Sequence, residues 1–209
     1  HNLVEGFDAA HFAELCGLPG QRWQDLYHAL PVPAQDYLVR HLPASSLLIG
    51  YELTPALTSL LSQVGQPWLD IRLSPLRFAS DLYLALRSNE PAIRAAIAAH
   101  AVSMQEVIAE SCLMAAQVRY RRRYDEKAAS WSDTIVYIGQ TEKDASLIDA
   151  GGRFVRAAQF APQLQALAAQ RRMVYRGHPL AGEHARRERE LLRQITAQDV
   201  PVCDVDTYE

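Results

Sequence analysis

The chain has 209 residues and a formal charge of −3, with 49% hydrophobic and 22% charged residues. Those values sit near the averages of an ordinary globular protein, which excludes the collagen-like, disordered and coiled-coil classes. The length fits one large domain or two small ones.

At the N-terminus no basic segment leads into an apolar one, so no signal peptide is expected. An initial His1 without Met reads as a trimmed start. Residues 8–16 and 20–29 are expected to be helical, with Asp8 as an N-cap and Pro19-Gly20 as a break. Ser46-Leu47-Leu48-Ile49-Gly50-Tyr51 reads as a buried strand. Thr54-Pro55 then supplies an N-cap and first helical residue, and Leu57, Leu60, Leu61 and Val64 line one face before Gly65 ends the helix. Trp68-Leu69-Asp70-Ile71-Arg72-Leu73 is the next strand. Strand, helix and strand within about 30 residues is the size of a βαβ unit with parallel pairing.

Pro91 opens a long helical stretch to about Ala128, with Ile93, Ile97, Met104, Val107, Ile108, Met114 and Val118 as a core-facing stripe. Only residues 91–130 carry net positive charge, concentrated in Arg119-Tyr120-Arg121-Arg122-Arg123-Tyr124. That run is either a solvated helix end complementing the dipole or a patch for anionic lipid. Nucleic acid is not expected as a partner, because the overall balance is acidic and no recognition motif accompanies the patch. Ser130 to Asp133 reads as a boundary.

A second alternation follows. Thr134-Ile135-Val136-Tyr137-Ile138 is a strand, roughly 153–170 a helix, Met173-Val174-Tyr175 a strand, 183–197 a charged helix and Val200-Pro201-Val202-Cys203 a further strand. That is βαβαβ, the front half of a doubly wound domain. The sequence-based organisation is therefore residues 1–90 as a first Rossmann-like domain, 91–130 as a helical connection and 131–209 as the opening half of a second. No apolar run approaches the roughly 18 residues a membrane helix needs. Cys16, Cys112 and Cys203 are far apart and odd in number, which fits a reducing cytoplasm better than a disulfide framework. No Gly-x-Ser-x-Gly elbow and no motif neighbour to a cysteine argues for a hydrolase.

In open parallel sheets ligands bind beyond the carboxyl ends of the strands. Two segments fall there: Gly139-Gln140-Thr141-Glu142-Lys143-Asp144-Ala145-Ser146-Leu147 and Arg176-Gly177-His178-Pro179. Arg176 and His178 can donate to a phosphate, and Pro179 fixes the chain direction. Ser146 could add to an anion site. Asp144 would repel a phosphate, but it suits a nucleophile or base beside a developing cation, unless it is simply a helix N-cap.

Gln140-Thr141-Glu142-Lys143-Asp144-Ala145-Ser146 followed by Gly177-His178-Pro179 resembles the bacterial β-Kdo transferases of capsule and O-antigen synthesis. Kdo is an eight-carbon acidic sugar carried as a CMP ester. Gly50-Tyr51-Glu52-Leu53 and the stretch from Trp68 to Phe78 resemble the acceptor domain of the O-antigen type. The resemblance implies a GT-B fold, two Rossmann-like domains with parallel sheets, the second incomplete. It implies Asp144 as nucleophile of a double displacement through a Kdo–enzyme adduct, and His178 and Pro179 as partners of the CMP phosphate. Gln140, Ser146 and Arg176 complete the expected substrate-binding set. Thr141, Lys143 and Gly177 depart from the capsule pattern, and the family's later serine-rich nucleotide loop is absent.

The second displacement needs a base, for which Glu52 is the candidate and Asp70 the runner-up. Arg72, Arg77 and Arg87 could meet an acidic acceptor, although ion-paired roles suit them equally. No metal and no cofactor are expected, CMP-Kdo being the donor substrate. The expected acceptor is a lipid-linked glycan, met by a cytoplasmic protein in peripheral contact with the inner membrane. Two other readings stay open: a GT-B transferase using another CMP-sugar, such as a sialyltransferase, and a non-catalytic α/β module of a polysaccharide assembly complex.

Overall fold

The computed structural model describes residues 6–18, 20, 22–43, 46–73, 83–122 and 133–203. The chain is mixed α/β and divides into two compact units, His1–Tyr120 and Arg121–Glu209. Arg77, Arg123, Tyr124 and most of the expected boundary at 130–133 lie outside the described residues.

In the first unit, α1 (Ala9–Leu15) starts at Asp8, whose Oδ1 accepts the backbone N–H groups of Ala10 and His11. Satisfying the free donors of a helix start is why Asp caps well. The expected helix over 20–29 is instead a 3-10 turn, Trp23–Leu26. A helix that the periodicity did not announce follows, α2 (Val32–Arg40), with Pro33 in its first turn. Its buried Tyr37 gathers the rings of Phe7, Phe12, His11 and His41.

The central motif forms in the expected order, but its first strand is not the buried strand expected: Leu47, Ile49 and Tyr51 are exposed. Strand β1 (Leu48–Tyr51) leads through α3 (Pro55–Gln63) to β2 (Trp68–Leu73), and the two strands pair in parallel. Thr54 Oγ1 caps α3 by accepting from Leu57 N. Leu60 and Leu61 are buried with Trp68, while Val64 stays exposed. A third strand, β3 (Leu84–Ser88), adds antiparallel to β2. The sheet is therefore mixed, not wholly parallel.

The stretch after Pro91 is two helices, α4 (Pro91–Ala99) and α5 (Met104–Arg122). Ser103 restarts the helix, its Oγ accepting from Glu106 N. Ser103-Met104-Gln105-Glu106 carries the Ser-x-x-Glu pattern of such a start. No residue of 91–120 is buried, and Met104 and Ile108 are exposed, so this stripe is not a core in the described structure. No helix among the described residues is long and apolar enough to cross a membrane.

The second unit holds β4 (Ile135–Ile138), α6 (Ala161–Ala168), β5 (Met173–Arg176) and α7 (Gly182–Thr196). Strands β4 and β5 are parallel, and Val202 makes one parallel bridge to Tyr175 where a full strand was expected. The expected helix over 153–170 shortens to α6 after a 3-10 turn, Ala157–Phe160. Pro162 in the first turn of α6 and a preceding bridge, Ile148 to Phe154, explain the late start. The core joins Ala157, Leu164, Met173, Tyr175, Leu192 and Val200. Ile135 and Tyr137 face it from β4, leaving Val136 and Ile138 exposed on the other side of the strand.

Candidate functional site

Register fixes the geometry of the second unit's loops. Ile138 pairs with Arg176 at the carboxyl ends of β4 and β5, so both motif segments leave one sheet edge. Gly139 N donates to Arg176 O at 2.8 Å and closes that edge.

The first loop is a built turn. Asp144 is half-buried and caps a 3-10 turn, Ala145–Leu147, its Oδ1 accepting from Ser146 N at 2.9 Å. The N-cap reading of Asp144 thus holds for one carboxylate oxygen. Its Oδ2 has no partner among the described residues. Glu142 ties the loop down: its carbonyl accepts from Arg156 Nη2 at 2.9 Å, and its carboxylate meets Arg187 of α7 at 3.5 Å. Ser146 is exposed.

The second loop orients His178. Its Nδ1 accepts from Leu180 N at 3.1 Å, which places the ring proton on Nε2 as a donor. Pro179 is exposed. Arg176 and His178 line a cleft of about 500 Å3 together with Arg186, Arg189, Glu190, Arg193 and Cys203. Several of these cations are held in place: Arg189 Nε donates to Val200 O at 2.6 Å, Arg193 meets Asp199 at 2.8 Å, and Arg176 Nη1 donates to Cys203 O at 3.3 Å. The structure therefore brings Arg176 and His178 into one cleft. Gln140 lines a separate cavity, and Asp144, Ser146 and Pro179 line neither of the two.

Glu188 was not legible as a site residue. It stands on α7 between the two strands' tyrosines, accepting from Tyr137 Oη at 3.1 Å and from Tyr175 Oη at 2.9 Å. The two rings stack with centroids 6.0 Å apart. Burial, and then the adjacent Glu188 carboxylate, push both phenols well above their ordinary value. The available signal was a charge on the apolar stripe Ala185, Leu192 and Ile195 of an otherwise amphipathic helix.

Gly139 sits directly over this cluster. A Cβ there would run into the Tyr175 hydroxyl and Glu188 Oε2. Gly139→Ala should therefore destabilise the fold by about 1–3 kcal/mol through overpacking. Urea unfolding checks this, and an unchanged midpoint would contradict it.

The candidate bases belong to the first unit. Glu52 follows β1 in the left-handed region at φ 52°, exposed, with its N–H on Ile71 O at 2.9 Å. Asp70 has no surface accessible to solvent. Its Oδ1 accepts from Leu53 N at 2.8 Å, and its Oδ2 meets Arg72 at 2.8 Å and Arg87 at 2.7 Å. A carboxylate so enclosed cannot reach a substrate hydroxyl, which corrects Asp70 as a candidate base and gives Arg72 and Arg87 ion-paired roles. Burial alone would raise the Asp70 carboxyl, but the hydrogen bonds from Arg72, Arg87 and Leu53 outweigh it and hold it low.

Among the described residues no group of three or more His, Cys, Asp or Glu is placed to hold a metal ion. Cys16, Cys112 and Cys203 are all free thiols. No protein-family model, curated protein or solved structure matches the chain.

Proposed function

We propose that the chain belongs to a retaining GT-B-type glycosyltransferase that moves Kdo from CMP-Kdo to a lipid-linked glycan at the cytoplasmic membrane face. The observation that carries this reading is the arginine-rich cleft at the carboxyl end of β5, lined by Arg176, His178 and three arginines of α7 beside one carboxylate, Glu190, which pairs with Arg193. Its size lies within the roughly 300–1,000 Å3 of small-molecule sites, and its charge suits a nucleotide phosphate.

The chemistry follows from the donor. The anomeric carbon of Kdo is fully substituted, so departing CMP takes the bonding pair and leaves an oxocarbenium-like centre. Asp144 attacks that carbon to form an aspartyl–sugar ester. An acceptor hydroxyl then displaces the carboxylate from the other face, losing its proton to a base, and the donor's configuration is restored.

One observation favours the non-catalytic module instead: Asp144 already serves as a turn cap and does not line the arginine cleft. Calorimetric titration of CMP into the full-length protein separates the possibilities. Binding is expected, weakened at least tenfold in Arg176→Ala and in His178→Ala. Equal binding by both variants, or none by the wild type, would remove the basis of the reading. CMP binding with no turnover of CMP-Kdo on any acceptor would favour the module.

A further inference from the structure

Helix α5 presents an apolar face that is open to solvent. Val107, Ser111, Met114 and Val118 are half-buried and mark one side of the helix. On the other side Met104 is 69%, Ile108 55% and Leu113 53% exposed, and Ala109, Cys112, Ala115 and Ala116 are exposed with them. At about 3.6 residues per turn these positions fall within one half of the helical wheel, with Gln105, Arg119 and Tyr120 among them. A helix of this length without a packed face is marginal in water, and an apolar surface running along all of it marks an interaction site.

Shape and charge together specify the partner. Ala109, Cys112 and Ala116 run down the middle of the face at i, i+3 and i+7, so a second helix can approach closely, with Ile108 and Leu113 flanking the seam. Charge is divided along the length: Glu106 and Glu110 stand in the first half, and Arg119, Arg121 and Arg122 in the last turns. A second copy laid antiparallel sets each acidic half along the other's basic end and opposes the two helix dipoles. A parallel copy would stack like charge on like, and a partner of uniform sign would be repelled by one half of the helix. Cys112 and Leu113 lie at the middle of Met104–Arg122, so a twofold axis there superposes the helices over their full length and sets Ala109 against Ala116, small against small.

We infer that α5 joins two copies of this chain as an antiparallel helix pair centred on Cys112 and Leu113. The inference is independent of the transferase reading and survives its failure.

Sedimentation equilibrium of the full-length protein over a range of concentrations tests it, with a monomer–dimer equilibrium as the expected result. Ile108→Glu and Leu113→Glu each place a charge on the seam at an exposed position, so both should fold, which thermal unfolding checks, and both should weaken dimerisation at least tenfold. Orientation is read by disulfide coupling in a Cys112→Ser background, with aerobic copper–phenanthroline as the oxidant of two touching thiols. Cys16 and Cys203 are buried and should stay silent. Ala109→Cys mixed with Ala116→Cys should give a covalent dimer of the two different chains, and Ala109→Cys by itself should give none. A monomer at every concentration, or a dimer that both folded glutamate variants leave unchanged, overturns the inference. Coupling of Ala109→Cys to itself, or a mixture that does not couple, overturns the antiparallel order.

Discussion

Asp70→Ala should lower the unfolding free energy by about 3 kcal/mol. The residue is wholly enclosed, and its carboxylate is the common partner of Arg72, Arg87 and Leu53 N. Truncation leaves a cavity, an unpaired backbone donor and two guanidiniums with no counter-charge. Arg87 is half-exposed and Arg72 about a third exposed, so both can recover water, which holds the cost near the lower end of the range for buried pairs. Asp70→Asn keeps the volume and loses the charge, so it should fall between the two. The carboxyl is held below its ordinary value of about 3.9 in the folded chain. A group depressed on folding contributes stability above its unfolded value and loses it as pH falls through the folded one. Wild type should therefore lose this increment as pH drops below about 4, and Asp70→Asn should lack it. Denaturant unfolding at several pH values reads both effects. Parallel pH curves for wild type and Asp70→Asn would contradict the assignment.

On the proposed transferase reading, Asp144→Ala should reduce Kdo transfer by at least about 10³-fold, equivalent to about 4 kcal/mol of barrier. The substitution also removes the cap of the Ala145–Leu147 turn, which costs roughly 0.5–2 kcal/mol at ordinary caps. Asp144→Asn separates the two roles. Its amide oxygen can still accept from Ser146 N, so the turn survives, but it cannot act as the nucleophile. Equal loss of transfer in both variants, with near-native unfolding of Asp144→Asn, marks the carboxylate as the reacting group. Wild-type rates in Asp144→Asn would assign the residue to the turn alone.

The βαβ cores were legible because each was bounded by strong local chemistry. Thr54-Pro55 opens α3 with a cap and a fixed φ, and the apolar runs at 48–51 and 68–73 pair where expected. The same holds for β4 and β5, whose register places both motif loops on one edge. Strand β3 escaped notice because Leu84-Ala85-Leu86-Arg87-Ser88 carries no β-branched or aromatic residue. The single helix expected after Pro91 failed on one residue. Ser103 competes for the free N–H groups of a helix start, and that local bond outweighs an apolar periodicity which here buries nothing.

The site was legible as loops but not as contacts. Arg176 and His178 share a cleft because the strand end that carries them faces α7. In the sequence the arginines of that helix read only as part of a charged helix. Glu52 stood ahead of Asp70 in the sequence by its place at a strand end, and burial separates them further: Asp70 is sealed between two arginines and Glu52 is open to solvent. Glu188 shows the reverse problem. Its role depends on two tyrosines far along the chain, Tyr137 and Tyr175, and on the absence of a side chain at Gly139. Such three-way placement is a property of the packed unit and has no short-range pattern.

Intact-mass spectrometry of the full-length protein incubated with CMP-Kdo and no acceptor addresses the proposed double displacement directly. The account predicts a Kdo-sized addition that localises to the peptide containing Asp144, disappears in Asp144→Asn and is discharged when acceptor is added. CMP release and product formation with acceptor, but no adduct under any condition and undiminished transfer in Asp144→Asn, would contradict it.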